Sequence, residues 1–549
     1  MMAVVATLGV ASISQAQTAP DAGALRQQIE RPPIERQQSS PLPPKVVPTP
    51  PEPAPDLSNA FVSVSIKSIR FVGNTLLTTE QLSPVVQNYL QQPQNFTQLQ
   101  QAAQDITSAY RKAGWLARAY LPKQTLSDGV LTIKIVEAAF SGVSLDGAEP
   151  ARVKAAQVQR LFNHQQALGQ PVSVAALDRA LLLADDLPGI TAAGALVAGR
   201  QDGETGIRLK LVDEPLVFGD ARVDNTGSRS TGAQRLSASL YLNSPLGIGD
   251  LFSASAAHTE GSDYLRLGAT APVGNDGWRL GGNASALNYR VISPEFAALN
   301  SQGNSAGYGL EARYPWVRER NRNLYVTLAH DIKNFHNESS ATVQSSYTSQ
   351  NSSLDLSGNI FDSWGGGGAN SASLTLVAGN LALGSLQPSE NAALEGSFSK
   401  LRYALARQQT LTSDTSLYAT LSGQYADQTL DSSEKFSLGG ASGVRAYPTS
   451  EGMGSSGQLL NLELRWRWLD GVNLTGFYDW GRISNTDGSP SYNLQGAGLA
   501  LNWQSTQGLS VKLVWAHRLG DNPNPTATGH DQDGSFDLQR GWVSVSLPF

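Results

Sequence analysis

From Leu216 to the C-terminus the chain alternates apolar and polar residues with a period of two, the spacing that sends successive side chains to opposite faces of a β-strand. The segment LLNLELRWRWL shows it most plainly. Leu460, Leu462, Leu464, Trp466 and Trp468 share one face, and Asn461, Glu463, Arg465 and Arg467 share the other. SLYATLSGQY and LSVKLVWAH split the same way. A soluble two-sheet sandwich also alternates, but its inner faces need apolar partners, and here the polar face carries charges. A closed barrel, greasy outside and wet inside, accounts for both faces. About sixteen such segments lie between 216 and 549, the even number that bacterial barrels use, so the pattern predicts an all-β transmembrane barrel of about 16 antiparallel strands. Short connections such as PLGIGD and WLDG alternate with long polar ones such as LGDNPNPTATGHDQDGS, as short periplasmic turns alternate with long surface loops. The final GWVSVSLPF places Val543, Val545, Leu547 and Phe549 on one face, a lipid-facing strand that closes the barrel against the first.

Upstream the period changes. Residues 61–138 read as a compact α+β module: a strand FVSVSIKSIRFVGN, two helical stretches, then strands LARAYLP and GVLTIKIVEA. In the first strand Val62, Val64 and Ile66 alternate in one phase and Ile69 and Phe71 in the other, which predicts a bulge. The helices fall around TEQLSPVVQNYL and FTQLQQAAQDITSAYRKAG, the second stopped at Gly114. A second β-α-α-β-β unit follows at 139–215, with the apolar-striped helix LDRALLLADDLPGI and the closing strand GIRLKLVDE.

Before the modules, PLPPKVVPTPPEPAP marks an extended linker over 34–60. Within 17–33, AGALRQQIER can form a short polar helix capped by Asp21 and stopped by Pro32, or remain an unstructured leader. Its apolar pair, Leu25 and Ile29, is too small to anchor it in a core. Residues 1–16, an apolar run ending in small residues with Ser14 and Ala16 before Gln17, read as a signal peptide lacking a basic n-region, with a short buried helix as the alternative.

Composition narrows the chemistry. The chain has no cysteine, which excludes a disulfide framework and a thiolate metal site. No window approaches the roughly 20 apolar residues of a membrane-spanning helix, which leaves strands as the way across. The histidines, His164, His258 and His330 among them, are never spaced as H-E-x-x-H, and no phosphate-binding G-x-x-x-x-G-K-[ST] occurs. Gly452–Gly457 fits G-x-G-x-x-G, but it runs from a loop into a strand rather than from a strand into a helix. No nucleophile, base and orienting group assemble from motifs, so the expectation is a protein that is not an enzyme, with no cofactor, no metal and no nucleic acid.

One loop stands out. FSLGGASGVRAYPTSEG, within a long segment 428–457, is glycine-rich and carries a single arginine, Arg445. Inside a barrel such a loop can fold inward and be fastened by one charge-assisted contact, and Asp479 in GFYDWG lies on the strand after the next short turn. A solvated surface arginine and an unrelated strand aspartate is the other reading.

These residues resemble a family. The loop is similar to the signature loop of the two-partner secretion TpsB transporters, the filamentous-haemagglutinin and haemolysin secretor type, within the superfamily of POTRA-barrel outer-membrane proteins. The family motif V-R-G-[YF] appears as Val444-Arg445-Ala446-Tyr447, with alanine in place of glycine, and [FG]-x-D-x-G is matched by Phe477, Asp479 and Gly481. FVGN, LLLADDLPGI, VDNTGSRSTG and NSPLGIGD extend the resemblance over nearly all of the mature chain. It implies two periplasmic POTRA domains (61–138 and 139–215), an outer-membrane barrel (216–549) in a Gram-negative cell, a plug helix near Leu25 and Ile29, and an Arg445–Asp479 contact in the lumen. Alanine at 446 bears on the tip, because positive φ is less accessible to it than to glycine.

The implied function is export, without nucleotide hydrolysis, of a large unfolded exoprotein of the TpsA type: an adhesin, haemolysin or contact-dependent toxin bound through the POTRA domains. Outer-membrane lipid and, during biogenesis, the barrel assembly machinery are the other partners, and the chain is expected to be a monomer. The alternative is an assembly or insertion factor of the same superfamily. A general porin would have no use for two periplasmic modules.

Overall fold

The computed structural model describes residues 20–30, 63–126, 128–340, 342–384, 393–449, 451–484, 490–526 and 528–549. The expected signal peptide (1–16) and linker (34–60) lie outside the described residues. Near the N-terminus, helix α1 (Ala22–Glu30) forms, with the Asp21 carboxylate accepting from the Ala24 amide at 2.8 Å. This resolves the choice between helix and leader.

Two similar units follow. In the first, α2 (Thr79–Val86) and α3 (Phe96–Lys112) each start in a capping box, Thr78 with Gln81 and Asn95 with Gln98. They pack Leu82, Leu99, Ile106 and Tyr110 on a three-stranded sheet in the order Ser68–Val72, Val130–Glu137, Ala117–Tyr120. The outer pairings are parallel and antiparallel respectively. The second unit repeats this order with Ala139–Leu145, Glu204–Asp213 and Ile190–Ala198 under α4 (Ala155–Gln165) and α5 (Val174–Asp185). Backbone bonds from Leu116 to Val172 and from Val174 to Gly114 stitch the two units together.

The expected bulge in the first strand needs correction. Val64–Ser65 pairs with Pro93–Gln94, whereas Ser68–Val72 joins the main sheet, so the change of phase marks a change of partner. Between them Ile66 is fully buried, and the amides of Lys67 and Ser68 both donate to the Gly129 carbonyl.

From Val217 sixteen strands form one closed antiparallel barrel. The last strand, Gln539–Pro548, pairs with the first, Val217–Asp224, from Ser544↔Asp224 to Pro548↔Asp220, and Phe549 exchanges both backbone bonds with Gly219. Val543, Val545, Leu547 and Phe549 all point outward and are exposed, as are Leu464, Trp466 and Trp468.

The wall is lopsided. The strands at the closure have 8 to 10 residues, close to the roughly 9–11 that cross a bilayer, whereas Gln302–Arg318, Arg322–Ser339, Thr342–Asp362 and Gly368–Leu383 have 16 to 21. Their outward faces are apolar toward the short turns (Leu310, Trp316, Leu328, Ile360) and polar beyond (Asn304, Asn334, Thr348, Gln350). One side of the barrel therefore stands above the hydrocarbon. At the other end the second unit docks on the short turns: Asp186 accepts two bonds from Arg318 at 2.7 and 2.8 Å, and Asp178 pairs with Arg320.

In the first unit Glu137 ties the strand end to the loop before α2, accepting from the Thr75 and Leu76 amides at 2.7 and 2.8 Å and from the Tyr110 hydroxyl at 2.8 Å. Burial pushes its pKa up, but these bonds, led by those from Thr75, outweigh it and hold the carboxyl below the ordinary range. A group so depressed stabilises the fold fully above its unfolded pKa of about 4.3 and stops doing so as pH falls through the lower folded value. Amide protection at Thr75 and Leu76, corrected for intrinsic exchange, should therefore weaken on acidification below about pH 4 in the native chain. In E137Q it should be weaker already at neutral pH and lack that acid step.

Candidate functional site

The loop between strands Thr415–Ala426 and Ser456–Leu469 does not extend into solvent; it turns into the lumen. A two-residue ladder, Phe436–Ser437 with Met453–Gly454, forms its stem. Beyond it the chain closes on itself, with the Val444 amide donating to the Leu438 carbonyl at 2.8 Å and Tyr447 to Val444 at 3.1 Å. Leu438, Val444, Ala446 and Tyr447 are buried against Leu459, Phe477, Ile483, Leu494 and Trp542 of the wall. Gly481 makes this approach feasible, since a Cβ there would lie 2.6 Å from Leu438 and 3.2 Å from Val444. Ala446 does not sit at positive φ, so the tip does not call for glycine at that position.

At the tip, Arg445 is 4 % exposed and Asp479 fully buried. Arg445 makes a fork on Asp479, Nε to Oδ2 at 2.8 Å and Nη2 to Oδ1 at 2.7 Å, and its amide adds a third bond at 3.0 Å. Nη1 donates to Glu463 at 2.8 Å, and Glu463 in turn accepts from Arg465 Nε at 2.8 Å. Two arginines thus alternate with two carboxylates and cancel, as a confined site requires, because an uncompensated buried charge costs several kcal/mol. Asn461 bridges Asp479 (2.7 Å) to the Gly443 carbonyl (3.0 Å). The guanidinium lies 3.5 Å over the Phe477 ring, and Trp542 donates to the Arg445 carbonyl at 2.8 Å.

Buried carboxylates fasten the loop elsewhere as well. Glu434 accepts from Lys400 at 2.6 Å and from Asn351 at 2.7 Å. Glu451, fully buried, accepts from the Gln532 amide at 2.8 Å and from Asn522 at 3.0 Å, which ties the inward loop to the long surface loop above it.

Helix α1 lies beside this loop in the lumen. Leu25 packs with Ala22 against Leu287, Tyr289, Phe335 and Tyr347, and Ile29 is only partly covered. Polar contacts supply the rest of the hold. Arg26 reaches Ser305 at 2.9 Å and Ser285, and Glu30 accepts from Tyr264 at 2.8 Å with Lys333 at 3.6 Å. The helix start meets the loop directly: Asp21 accepts from the Ser432 hydroxyl, and a Cβ on Gly23 would come within 2.6 Å of Ser432 and 2.8 Å of Tyr347.

The structure therefore brings Arg445 and Asp479 together and sets Val444, Ala446, Tyr447, Phe477 and Gly481 around them. Sequence reasoning did not single out Glu463, Asn461, Trp542 or the polar seat of α1. A count back from the WLDG turn misses both by one position, because the register shifts between Arg467 and Leu469 and only then sets Asn461 opposite Asp479 and Glu463 opposite Phe477.

A closed barrel with two α+β units at its short-turn end and a charged loop folded into its lumen defines an outer-membrane protein of the POTRA-barrel class. Residues 203–503 match the haemolysin secretion/activation proteins ShlB/FhaC/HecB, and residues 64–138 match the POTRA domain of ShlB type. The chain belongs to that family. It is 26 % identical over 501 residues to the heme/hemopexin transporter protein HuxB of Haemophilus influenzae, covering 87 % of this chain and 85 % of HuxB. It is also 26 % identical over 473 residues to the outer membrane transporter CdiB of Dickeya dadantii, 82 % of each chain. In fold it is similar to CdiB from Escherichia coli, with a TM-score of 0.72 at 21 % identity over 90 % of this chain and 93 % of that one. The protein is thus a two-partner secretion transporter of the outer membrane, its POTRA units periplasmic, rather than an assembly factor.

Breaking a buried ion pair from one side costs about 3–5 kcal/mol, whereas replacing both partners by apolar groups costs much less. R445A and D479A should each release the loop to protease added to the purified barrel, while R445L/D479L should stay more resistant than either. If all three were cleaved alike, the pair would not be what fastens the loop.

Proposed function

We propose that the barrel exports a large, unfolded partner exoprotein of the TpsA class, and that α1 and loop 428–457 together close its path at rest. The observation that carries this reading is their contact in the lumen, through Asp21 with Ser432 and the close approach at Gly23. The edge strands of the POTRA sheets, Ser68–Val72 in the first and Ile190–Ala198 in the second, supply backbone groups on which an extended client can add a strand. Main-chain pairing of that kind tolerates varied sequences. α1 then leaves its seat, and the client threads past the loop while Arg445 and Asp479 keep the loop tip on the wall. Folding of a β-rich client outside supplies direction, with no nucleotide hydrolysed. The transporter works as a monomer, since one barrel encloses both plug and path, and the strand ending in Val543, Val545, Leu547 and Phe549 directs its own insertion by the barrel assembly machinery.

The polar seat of α1 suits departure. Withdrawing it uncovers hydroxyl and charged groups that water can solvate, and the apolar cost is confined to the seat of Leu25 and Ala22 on Leu287, Phe335 and their neighbours. Deleting 20–30, or the substitution G23V, should raise conductance in planar bilayers; a trace indistinguishable from the native one would refute the plug. R445A and D479A should abolish secretion of the cognate exoprotein while the barrel still inserts, and undiminished secretion by both would count against the anchor.

A further inference from the structure

Between α1 and the loop the lumen keeps a cavity of about 640 Å³. Its lining is unbalanced in charge: seven basic side chains against three carboxylates, Glu30, Asp220 and Glu434. Some of the basic groups are answered. Arg26 pairs with Glu30 at 3.0 Å, Lys400 with Glu434 at 2.6 Å, and Arg235 with Asp224 at 3.1 Å. Arg222, Arg402 and Lys435 have no carboxylate within ion-pair distance among the described residues, although all three line the cavity. Arg222 projects from the first barrel strand and Arg402 from the strand Gly396–Thr410, while Lys435 belongs to the inward loop, so positive charge faces the space from several sides.

The surroundings make this imbalance count. Field from fixed charges is focused where low-dielectric walls confine the water, and a lining of one sign raises the local concentration of counter-ions. The rest of the wall is mixed: Ser237, Ser239 and Ser255 from the strands and Gly439, Gly440 and Ser442 from the loop are small and polar, beside Ile29, Tyr241, Phe335 and Phe436, so the unpaired basic groups face a space with polar surface enough to hold water.

We infer that the resting, plugged barrel contains an anion-selective passage beside α1, with Arg222, Arg402 and Lys435 as its selectivity-determining groups. The ligand class is the small hydrated anion, chloride being the simplest. The passage is separate from the path of the exoprotein in that it exists while α1 is seated, and it does not depend on which client is exported.

The test uses the full purified chain in a planar lipid bilayer under a tenfold KCl gradient. The reversal potential should have the sign of chloride passing more readily than potassium, and R222E/R402E/K435E should bring the permeability ratio from above unity to below it. Heat-modifiable migration on gels reports whether that variant has folded; should it fail, R222Q/R402Q/K435Q takes its place and should bring the ratio toward unity. A native barrel that is silent or prefers potassium overturns the inference, and so does a folded variant whose ratio equals that of the native protein.

Discussion

A bilayer offers no hydrogen-bond partners to a backbone, so a sheet that enters it must satisfy every amide within itself and therefore close. Here closure rests on the pairing of Gln539–Pro548 with Val217–Asp224 and on the double backbone bond between Phe549 and Gly219. Once the wall is closed and its outer face is given to lipid, the alternation of side chains sends every second residue into the lumen. That inner face is wet, narrow and charged. The other notable features of the molecule, the inward loop, the seated helix and the cationic cavity, are consequences of having such a space to occupy.

The two occupants of the lumen are held by different means. The loop carries an apolar patch, Leu438, Val444, Ala446 and Tyr447, in addition to the charge-balanced group around Arg445. Pulling it away would expose grease and break buried ion pairs at once, and both losses are large. Helix α1 has one large buried aliphatic side chain, Leu25, beside the small Ala22 and Ala24, and is otherwise held by hydrogen bonds and ion pairs that water can replace. Two elements fastened by different balances of contact thus share a single lumen, and the difference lies in the ratio of apolar to polar contact.

At the periplasmic end, rigidity has a comparable origin. The two α+β units share backbone bonds at their junction, and the second is clamped to the barrel turns by the Asp186–Arg318 fork and the Asp178–Arg320 pair. The edge strand Ile190–Ala198 of the second sheet is thereby held in a unit fixed to the barrel turns.

Much of this was legible in the residues because it depends on local periodicity. Alternation in LLNLELRWRWL or GWVSVSLPF states which side chains meet lipid, whatever the neighbouring strands are, and the helix and turn signals of the two small units are equally local. The Arg445–Asp479 contact was expected on a different ground, the resemblance of the short motifs around the two residues to those of the family. The phase change after Ile66 was visible but its meaning was not, since a bulge and a change of partner look alike within one strand. Glu463, Trp542 and the seat of α1 could not be read, because each depends on which distant segments a closed wall brings face to face. Ala22 with Asn337 and Asp21 with Ser432 are hundreds of residues apart in the chain. Periodicity is a property of neighbours in sequence and survives in the string of letters; charge balance, cavities and contacts across a lumen belong to the closed cylinder, and arise only when its circumference is complete.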